Sequence, residues 1–356
     1  MAALAARAEG RLADLGWMTD EWLERSTDPG RFLQGARSVV VVALPYAGAT
    51  LSAPEAGGPA RGKVARYAAG RDYHRVFETK LRRLAATIRR EFDAGARATV
   101  DYGPLLERPL AALAGLGWLG KSTMLLAPGF GPWVLLGAVA TTLDLRPDEP
   151  LRKSCGSCTR CIVACPTGAI APDGQVLDAR LCISFHTIEN RGPIPRELRA
   201  KFGAWVFGCD DCLTSCPVGA RSTVTYPDFD PADQEAAAPD LAGLLLLDEV
   251  AFAERFRGRA IMRAKRDGLL RNACIALGNV GAASDVDALC GALADSAALV
   301  RGHAAWGLGR LAGRLGGGCV VAARVALEIR LMMEHDPWAR EEIEAALSDL
   351  SPPPEG

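Results

Sequence analysis

The chain has 356 residues, 42 acidic and 41 basic side chains for a net charge of −1, and 49% hydrophobic residues. That length and apolar content suit two or three cores rather than one, and a nearly neutral chain can meet a polyanion only through a local basic patch. The apolar run nearest in kind to a membrane span, Trp133 to Ala140, has only the length of a strand, so no membrane partner is expected.

At the amino end, Met1 to Leu15 mixes Arg7 and Arg11 with Glu9 and Asp14 and has no sustained apolar stretch. It does not read as an export signal, and the expected compartment is the reducing cytoplasm. Ser38 to Leu44 is a continuous, β-branched apolar run ending at Pro45, which predicts a buried strand. Leu51 to Gly62 is rich in Gly, Ala and Pro and predicts a loop lying over a pocket. From Tyr73 to Phe92, the residues Val76, Phe77, Leu81, Leu84 and Ile88 recur at helical spacing with Arg and Lys between them, so a long amphipathic helix is expected. Ala98-Thr99-Val100 predicts a strand running into Asp101, and Trp133 to Thr142 predicts another. Asp101 then sits at a strand's carboxyl end, where open α/β sheets place their ligands. Gly115 to Lys121 looks like a phosphate loop but lacks the required spacing, and no Gly-x-Gly-x-x-Gly follows the first strand. Residues 1–150 therefore read as an α/β domain without a nucleotide site.

The densest signal follows in residues 151–229. Seven of the eleven cysteines fall in Cys155-x2-Cys158-x2-Cys161-x3-Cys165-Pro166 and Cys209-x2-Cys212-x3-Cys216-Pro217, and an eighth, Cys182, lies between them. Two-residue gaps let one turn grip three corners of an iron–sulfur cubane, and in two-cluster ferredoxins the last cysteine of each motif serves the other cluster. This assigns Cys155, Cys158, Cys161 and Cys216 to one 4Fe–4S cluster, and Cys165, Cys182, Cys209 and Cys212 to a second. Zinc on the paired C-x2-C arms leaves half of these cysteines and both prolines unexplained. A disulfide framework suits small secreted domains instead. Little regular structure is expected here, because metal and sulfide supply the core. Cys274, Cys290 and Cys319 lie in apolar helical stretches and read as core.

Asp230 to Pro239 is a polar, Ala/Pro-rich linker. Beyond it, residues 240–350 predict an all-helical domain in which Arg271 to Gly278 recurs loosely as His303 to Gly309, a short HEAT-type repeat. Trp338 to Leu350 predicts a capping helix, and residues 351–356, with Pro352-Pro353-Pro354, a flexible tail. The expected architecture is thus a multidomain α+β chain: an N-terminal α/β domain, a ferredoxin-like double-cluster domain and a HEAT-like helical repeat. An electron carrier needs little beyond its clusters, yet roughly 150 residues precede them here, so the first domain must bind something that accepts low-potential electrons.

Several further phrases carry a resemblance. They are Arg66 to His74 (RYAAGRDYH), Val100 to Pro104 (VDYGP), Glu107-Arg108-Pro109, Gly115 to Lys121, Asp178 to Ser184 (DARLCIS), Phe207 to Cys212 (FGCDDC), Leu270 to Ala273 and Val300 to Gly302. Together with the cysteine block, the chain resembles the epoxyqueuosine reductases almost end to end. The resemblance implies a cobalamin-dependent reduction of epoxyqueuosine to queuosine at the wobble position of tRNA, the last step of that pathway. It implies as cofactors two 4Fe–4S clusters and cobalamin, and as partners a tRNA with epoxyqueuosine in its anticodon and an external low-potential electron donor. A monomer is expected.

By the same resemblance Asp101 is the proton donor. To donate at neutral pH its carboxyl needs a raised pKa, and the apolar neighbours Val100, Leu105 and Leu106 suggest that burial supplies it. The bland alternative is a capping aspartate. The corrinoid pocket is expected to involve the segment from Ala65 to His74, Asp101, Leu125, Leu136, Ser184 and the turn at Cys209 and Asp210, with Leu125 and Leu136 equally readable as core. Arg108 suits polar groups of substrate or cofactor, or a structural ion pair. Asp72-Tyr73-His74 begins the Asp-x-His-x-x-Gly string of histidine-ligated corrinoid proteins, but Phe77 replaces the glycine, so His74 is not expected to ligate cobalt. The chain departs from the family at His186, where leucine is common. Arg255, Arg257, Arg259, Arg263, Lys265, Arg266 and Arg271 crowd a span opposed only by Glu254 and Asp267, and Lys265, Arg266 and Arg271 are the expected tRNA contacts. Competing readings are a reductive-dehalogenase-like corrinoid reductase of a small molecule, a ferredoxin-type carrier, and a repeat scaffold that would leave the cluster-spaced cysteines idle.

Overall fold

Ser38–Pro45 (β1), Ala96–Thr99 (β2) and Val134–Thr141 (β3) build a three-stranded sheet with β3 at its centre, antiparallel to both neighbours. Thr141 pairs with Ser38 on one side and Ala96 on the other. The β1 run is half-buried along its whole length rather than enclosed, while β3 carries most of the burial. Because the sheet is antiparallel, the ligand-placing logic of open parallel sheets does not apply; what holds is that Asp101 lies just past the end of β2. The computed structural model describes residues 2–13, 15–48 and 58–350. The tail at 351–356 and residues 51–57 of the expected covering loop lie outside the described residues.

Helix α1, Tyr73–Phe92, has the predicted limits. Asp72 caps it by accepting the His74 amide hydrogen, and Asp93, at φ 47°, ends it in the left-handed region. Its apolar stripe, Tyr73, Val76, Phe77, Leu81, Ala85 and Ile88, packs into one core with Val100, Trp133 and Val139. Enclosing each such large side chain contributes about 1.5–3 kcal/mol. Glu107–Leu113 forms a short helix α2. The stretch resembling a phosphate loop is a β-hairpin, with Trp118–Leu119 paired to Leu125–Leu126.

The chain divides into two compact units that do not follow the consecutive segments 1–150, 151–229 and 240–350. The first comprises Met1–Thr50, Arg66–Cys182 and Asp210–Pro231; the second comprises Leu51–Ala65, Ile183–Cys209 and Ala232–Gly356. The cysteine-rich segment is therefore shared between them, and it carries only short elements such as Arg160–Ala164 and Asp211–Thr214.

In the second unit Lys63–Val64 pairs in parallel with Trp205–Phe207, and Ile183–Ile188 forms α3. The helical stack consists of α4 (Lys265–Val280), α5 (Val286–Ala292), α6 (Ala298–Leu315), α7 (Gly317–Met333) and α8 (Pro337–Asp349). The two repeat phrases lie on α4 and α6, which cross where a Cβ on Gly278 would stand 2.9 Å from the Gly307 Cα. Glycine at both positions is what lets the backbones approach this closely. α8 is the predicted cap, whereas α7 and the helices Leu241–Leu245 and Glu249–Phe256 fall in the predicted all-helical segment without individually predicted limits. Cys274 is enclosed as expected, but Cys290 and Cys319 are only half-buried and are not core residues.

Candidate active site

Asp101 is the middle residue of a γ-turn: its φ is +52°, and the Tyr102 amide donates to the Val100 carbonyl at 2.6 Å. That turn, with positive φ on a side-chain-bearing residue, is rare and strained. The loop folds back on β2 so tightly that a Cβ on Gly103 would collide with Thr99 Oγ1, so only glycine fits there.

Three side chains fix the carboxylate and its loop. Tyr73 Oη donates to Asp101 Oδ2 at 2.7 Å, and His74 Nε2 lies 3.1 Å from the same oxygen. His74 Nδ1 lies 2.7 Å from Asp72 Oδ1, so both ring nitrogens are committed to carboxylates. Glu107 Oε1 accepts the Asp101 amide hydrogen at 2.7 Å. The His74 ring stacks between Tyr73 and Tyr102, at centroid distances of 4.0 and 5.7 Å.

This arrangement corrects the expected source of acidity. The Asp101 side chain is 61% exposed, and although partial desolvation works against its charge, the bonds from His74 and Tyr73 hold its pKa below the usual carboxylate value. The raised groups are its neighbours. Burial alone would lower His74, but its bonds to Asp101 and Asp72 push it up to about 9. Burial, then the charge of Asp101, pushes Glu107 up to about 7. Nor is Asp101 a helix cap; Asp72 has that role. Sequence reading missed Tyr73, Asp72 and Glu107 as partners. The signal was Asp72-Tyr73-His74 itself, read only as a broken cobalt motif.

The expected corrinoid residues differ in accessibility. Ala65, Leu125 and Asp210 are enclosed, at 1, 2 and 3% exposure, and present almost no surface. Leu125 is core, in a cluster with Ala111, Ala127 and Val134 against which Leu136 packs. Asp210 accepts the Arg66 amide at 2.8 Å, and burial raises it to about 6. Ala65 donates its amide to the Phe207 carbonyl. Leu136, Ser184 and Cys209 are half-buried and keep some surface. Arg108 is exposed and donates to the Thr123 carbonyl at 3.3 Å, so it forms no structural ion pair with Asp101. His186 is buried beside the Asn190 amide.

No disulfide joins any of the eleven cysteines. Within the first unit they fall into two neighbourhoods. Burial and the neighbouring Cys155 raise Cys161, and Cys216 is raised by burial and by Cys155, Cys161 and Cys158. An open cleft of about 680 Å³ lies over this set, lined by Cys155, Cys158, Thr159, Arg160 and Pro217. Cys212 is deeper; burial, then Cys182 and Cys165, pushes it to about 12. Thiols this mutually unfavourable to ionise are relieved when they bind iron, which holds thiolates, so the donor set fits two clusters.

The expected tRNA contacts separate sharply. Arg271 is fully buried and spends its donors on the carbonyls of Asn190, Gly192 and His186 and on Asn272 Oδ1. It holds α3 and the turn after it to α4 and cannot reach a phosphate. Arg266 is held by Asp295, Asp267 and the Leu247 carbonyl. Lys265 is exposed.

Residues 26–102 match the family described as epoxyqueuosine reductase QueG, DUF1730, and residues 154–219 match a 4Fe–4S double cluster binding domain. The epoxyqueuosine reductase of Xanthomonas campestris is 40% identical over 306 residues, covering 85% of each chain, and that of Gloeobacter violaceus is 41% identical over 284 residues, covering 77% of this chain and 85% of its own. Among solved structures, an epoxyqueuosine reductase with an epoxyqueuosine-modified tRNA-Tyr stem loop superposes with a TM-score of 0.90 at 33% identity, over 98% of this chain and 90% of its own. The Bacillus subtilis enzyme, captured with a catalytic aspartate's loop swung out of its active site, gives 0.88 at 32% identity, over 98% of this chain and 91% of its own. Identity at this level across most of both chains is decisive: the chain belongs to the epoxyqueuosine reductase family.

Proposed function

We propose that this chain reduces epoxyqueuosine to queuosine at the wobble position of tRNA, in the cytoplasm and as a monomer, with Asp101 as the proton donor. The observation that carries the assignment is the carboxylate itself, held at 2.7 Å by Tyr73 and 3.1 Å by His74 in a strained turn whose side chain faces outward. The relative crystallised with the modified stem loop supports the substrate.

The reaction adds two electrons and two protons to an epoxide and releases an alkene and water. When bound, a corrinoid supplies a strongly reducing centre and the cubane clusters, fed by an external low-potential donor, supply single electrons. The chain's own contribution is proton handling. His74, charged at neutral pH, keeps a proton on Nε2 against Asp101 Oδ2. As the carbon–oxygen bond weakens, the proton on His74 Nε2 crosses to Asp101 Oδ2 and Asp101 passes it to the epoxide oxygen; His74, reprotonated from solvent, supplies the second proton by the same route. Tyr73 keeps Oδ2 oriented throughout. Within the first unit, exposed Asp101 and Tyr102, the cation of Arg108 and the half-buried Leu136 would suit a corrinoid's polar rim and apolar face, while both ring nitrogens of His74 are engaged with carboxylates rather than free for cobalt. We assign the clusters to Cys155, Cys158, Cys161 and Cys216, and to Cys165, Cys182, Cys209 and Cys212.

The test is anaerobic protein reconstituted with cobalamin and a strong reductant, given epoxyqueuosine-containing tRNA, with the nucleoside read by mass. Queuosine should form, and Asp101→Asn should slow single-turnover conversion by about 10²–10⁴-fold at unchanged tRNA affinity. Iron and acid-labile sulfide should each approach about eight atoms per chain. No queuosine from fully loaded protein, or undiminished turnover in Asp101→Asn, overturns the reading.

A further inference from the structure

We propose that Glu107 is a positioning residue that clamps Asp101 in its strained turn, by accepting the Asp101 amide hydrogen at 2.7 Å from the first turn of α2. This rests on the reading of Asp101 as proton donor. A γ-turn with positive φ is not a conformation an aspartate holds unaided. The turn's internal bond, from the Tyr102 amide to the Val100 carbonyl, leaves the Asp101 amide pointing away from any backbone partner. Among the described residues, the acceptor that satisfies it is the Glu107 carboxylate. Tyr73 and His74 orient the end of the side chain, and Gly103 permits the loop to fold onto Thr99, but neither holds the backbone at Asp101 itself. Without the Glu107 acceptor, the amide would be left unpaired at a strained residue and the loop would relax toward ordinary backbone angles.

The clamp also titrates. The charged groups facing Glu107 are Asp101, which raises it, and Arg108, which lowers it; with burial the result is about 7. An amide bonds more strongly to a carboxylate than to a neutral carboxyl, so the clamp tightens as pH rises through that value. Asp101, faced by Tyr73, His74 and Arg108, is already ionised in this range, and His74, faced by Tyr73, Tyr102, Asp72 and Asp101, loses its proton only at higher pH, near 9. The two limits enclose a working range from about 7 to about 9.

Glu107→Ala should slow single-turnover reduction about 10- to 100-fold, leave the affinity for a modified stem loop and the cluster absorbance unchanged, and raise amide hydrogen exchange in the peptide spanning Val100 to Leu105. Glu107→Gln keeps an acceptor oxygen but cannot ionise. It should recover most of the rate and the exchange protection, and lose the acid limb of the pH–rate profile near 7. If Glu107→Ala does not fold, the Glu107→Gln profile decides alone. An unchanged acid limb in Glu107→Gln, or unchanged loop exchange in a folded Glu107→Ala protein, overturns the clamp. Should Asp101→Asn be inactive while either result appears, the clamp alone has failed; an active Asp101→Asn would remove the donor reading beneath it.

Discussion

Around Asp101 and inside the helical stack, the chain uses the same charged side chains toward opposite ends. Arg199, on the short helix Arg196–Arg199, forks onto both oxygens of the stack's Glu342 at 2.7 and 2.6 Å with both side chains enclosed, and within the stack Arg301 and Arg330 converge on Glu334. Donor meets acceptor and the charges are spent on holding segments together. Around Asp101 the same kinds of group share protons unevenly: Asp101 is pushed down, Glu107 up to about 7 and His74 up to about 9, all within one chain of hydrogen bonds. Groups with pKa values driven apart at short range are set up to exchange protons. A charged residue's function therefore depends on what faces it, which its own neighbours in sequence do not disclose.

Removing one partner from the stack should give the largest change in stability. Glu342→Ala leaves the Arg199 guanidinium enclosed and unpaired, and a buried pair broken this way costs about 3–5 kcal/mol. Thermal unfolding of the loaded protein should shift down by several degrees, while the folded fraction binds tRNA with unaltered salt dependence. A shift within experimental error would mean that the stack does not depend on saturated pairs, and the contrast with the Asp101 site would collapse.

The Asp101 site should instead be visible in pH. His74 is raised in the folded state, so the stability it contributes is fully present below its ordinary value near 6.5 and is lost as pH rises through about 9. At about 1.4 kcal/mol for each tenfold gain in proton affinity, the loss is at most about 3 kcal/mol, counted once because the same bonds depress Asp101 and Asp72. Glu107 has the opposite sign: its raised value costs stability as pH climbs from the ordinary carboxylate range, and that cost is complete near 7. The interval between about 7 and 9 thus belongs to His74. Melting temperatures of wild type and His74→Gln should converge across it; a constant gap would show that the imidazole is not held as a cation.

Where ligands are consecutive in sequence, the chemistry was readable. The cysteine-rich stretch was legible because three of a cubane's ligands can come from one turn, and α1 was legible because its apolar stripe is local. The sheet's antiparallel pairing was not, since it depends on β3 arriving between β1 and β2 from far along the chain. The acidity at Asp101 failed for the same reason: Val100, Leu105 and Leu106 suggested burial, whereas the controlling groups, Tyr73 and His74, come from α1. Leu125 and Arg271 were offered as contacts because residue type says nothing about enclosure.

The basic run before and within α4 gives the finest test, because its members now fall on both sides of the contrast. Arg255 pairs with Glu235, Arg263 with Glu189 and Arg266 with Asp295, while Arg271 is buried. Lys265 and Arg257 are exposed and have no ion-pair partner among the described residues, and Lys265 stands at φ +61°, held out at the start of α4. If tRNA phosphates meet this face, Lys265→Ala should weaken binding by roughly the same factor for every sequence and reduce the salt slope by about one. Arg266→Ala should leave that slope intact and lower the melting temperature instead, because its guanidinium is already neutralised by Asp295. The two titrations, run across the same salt series, separate a cation available to a phosphate from one already spent on the fold; equal slopes for Lys265→Ala and wild type would place the tRNA on another face.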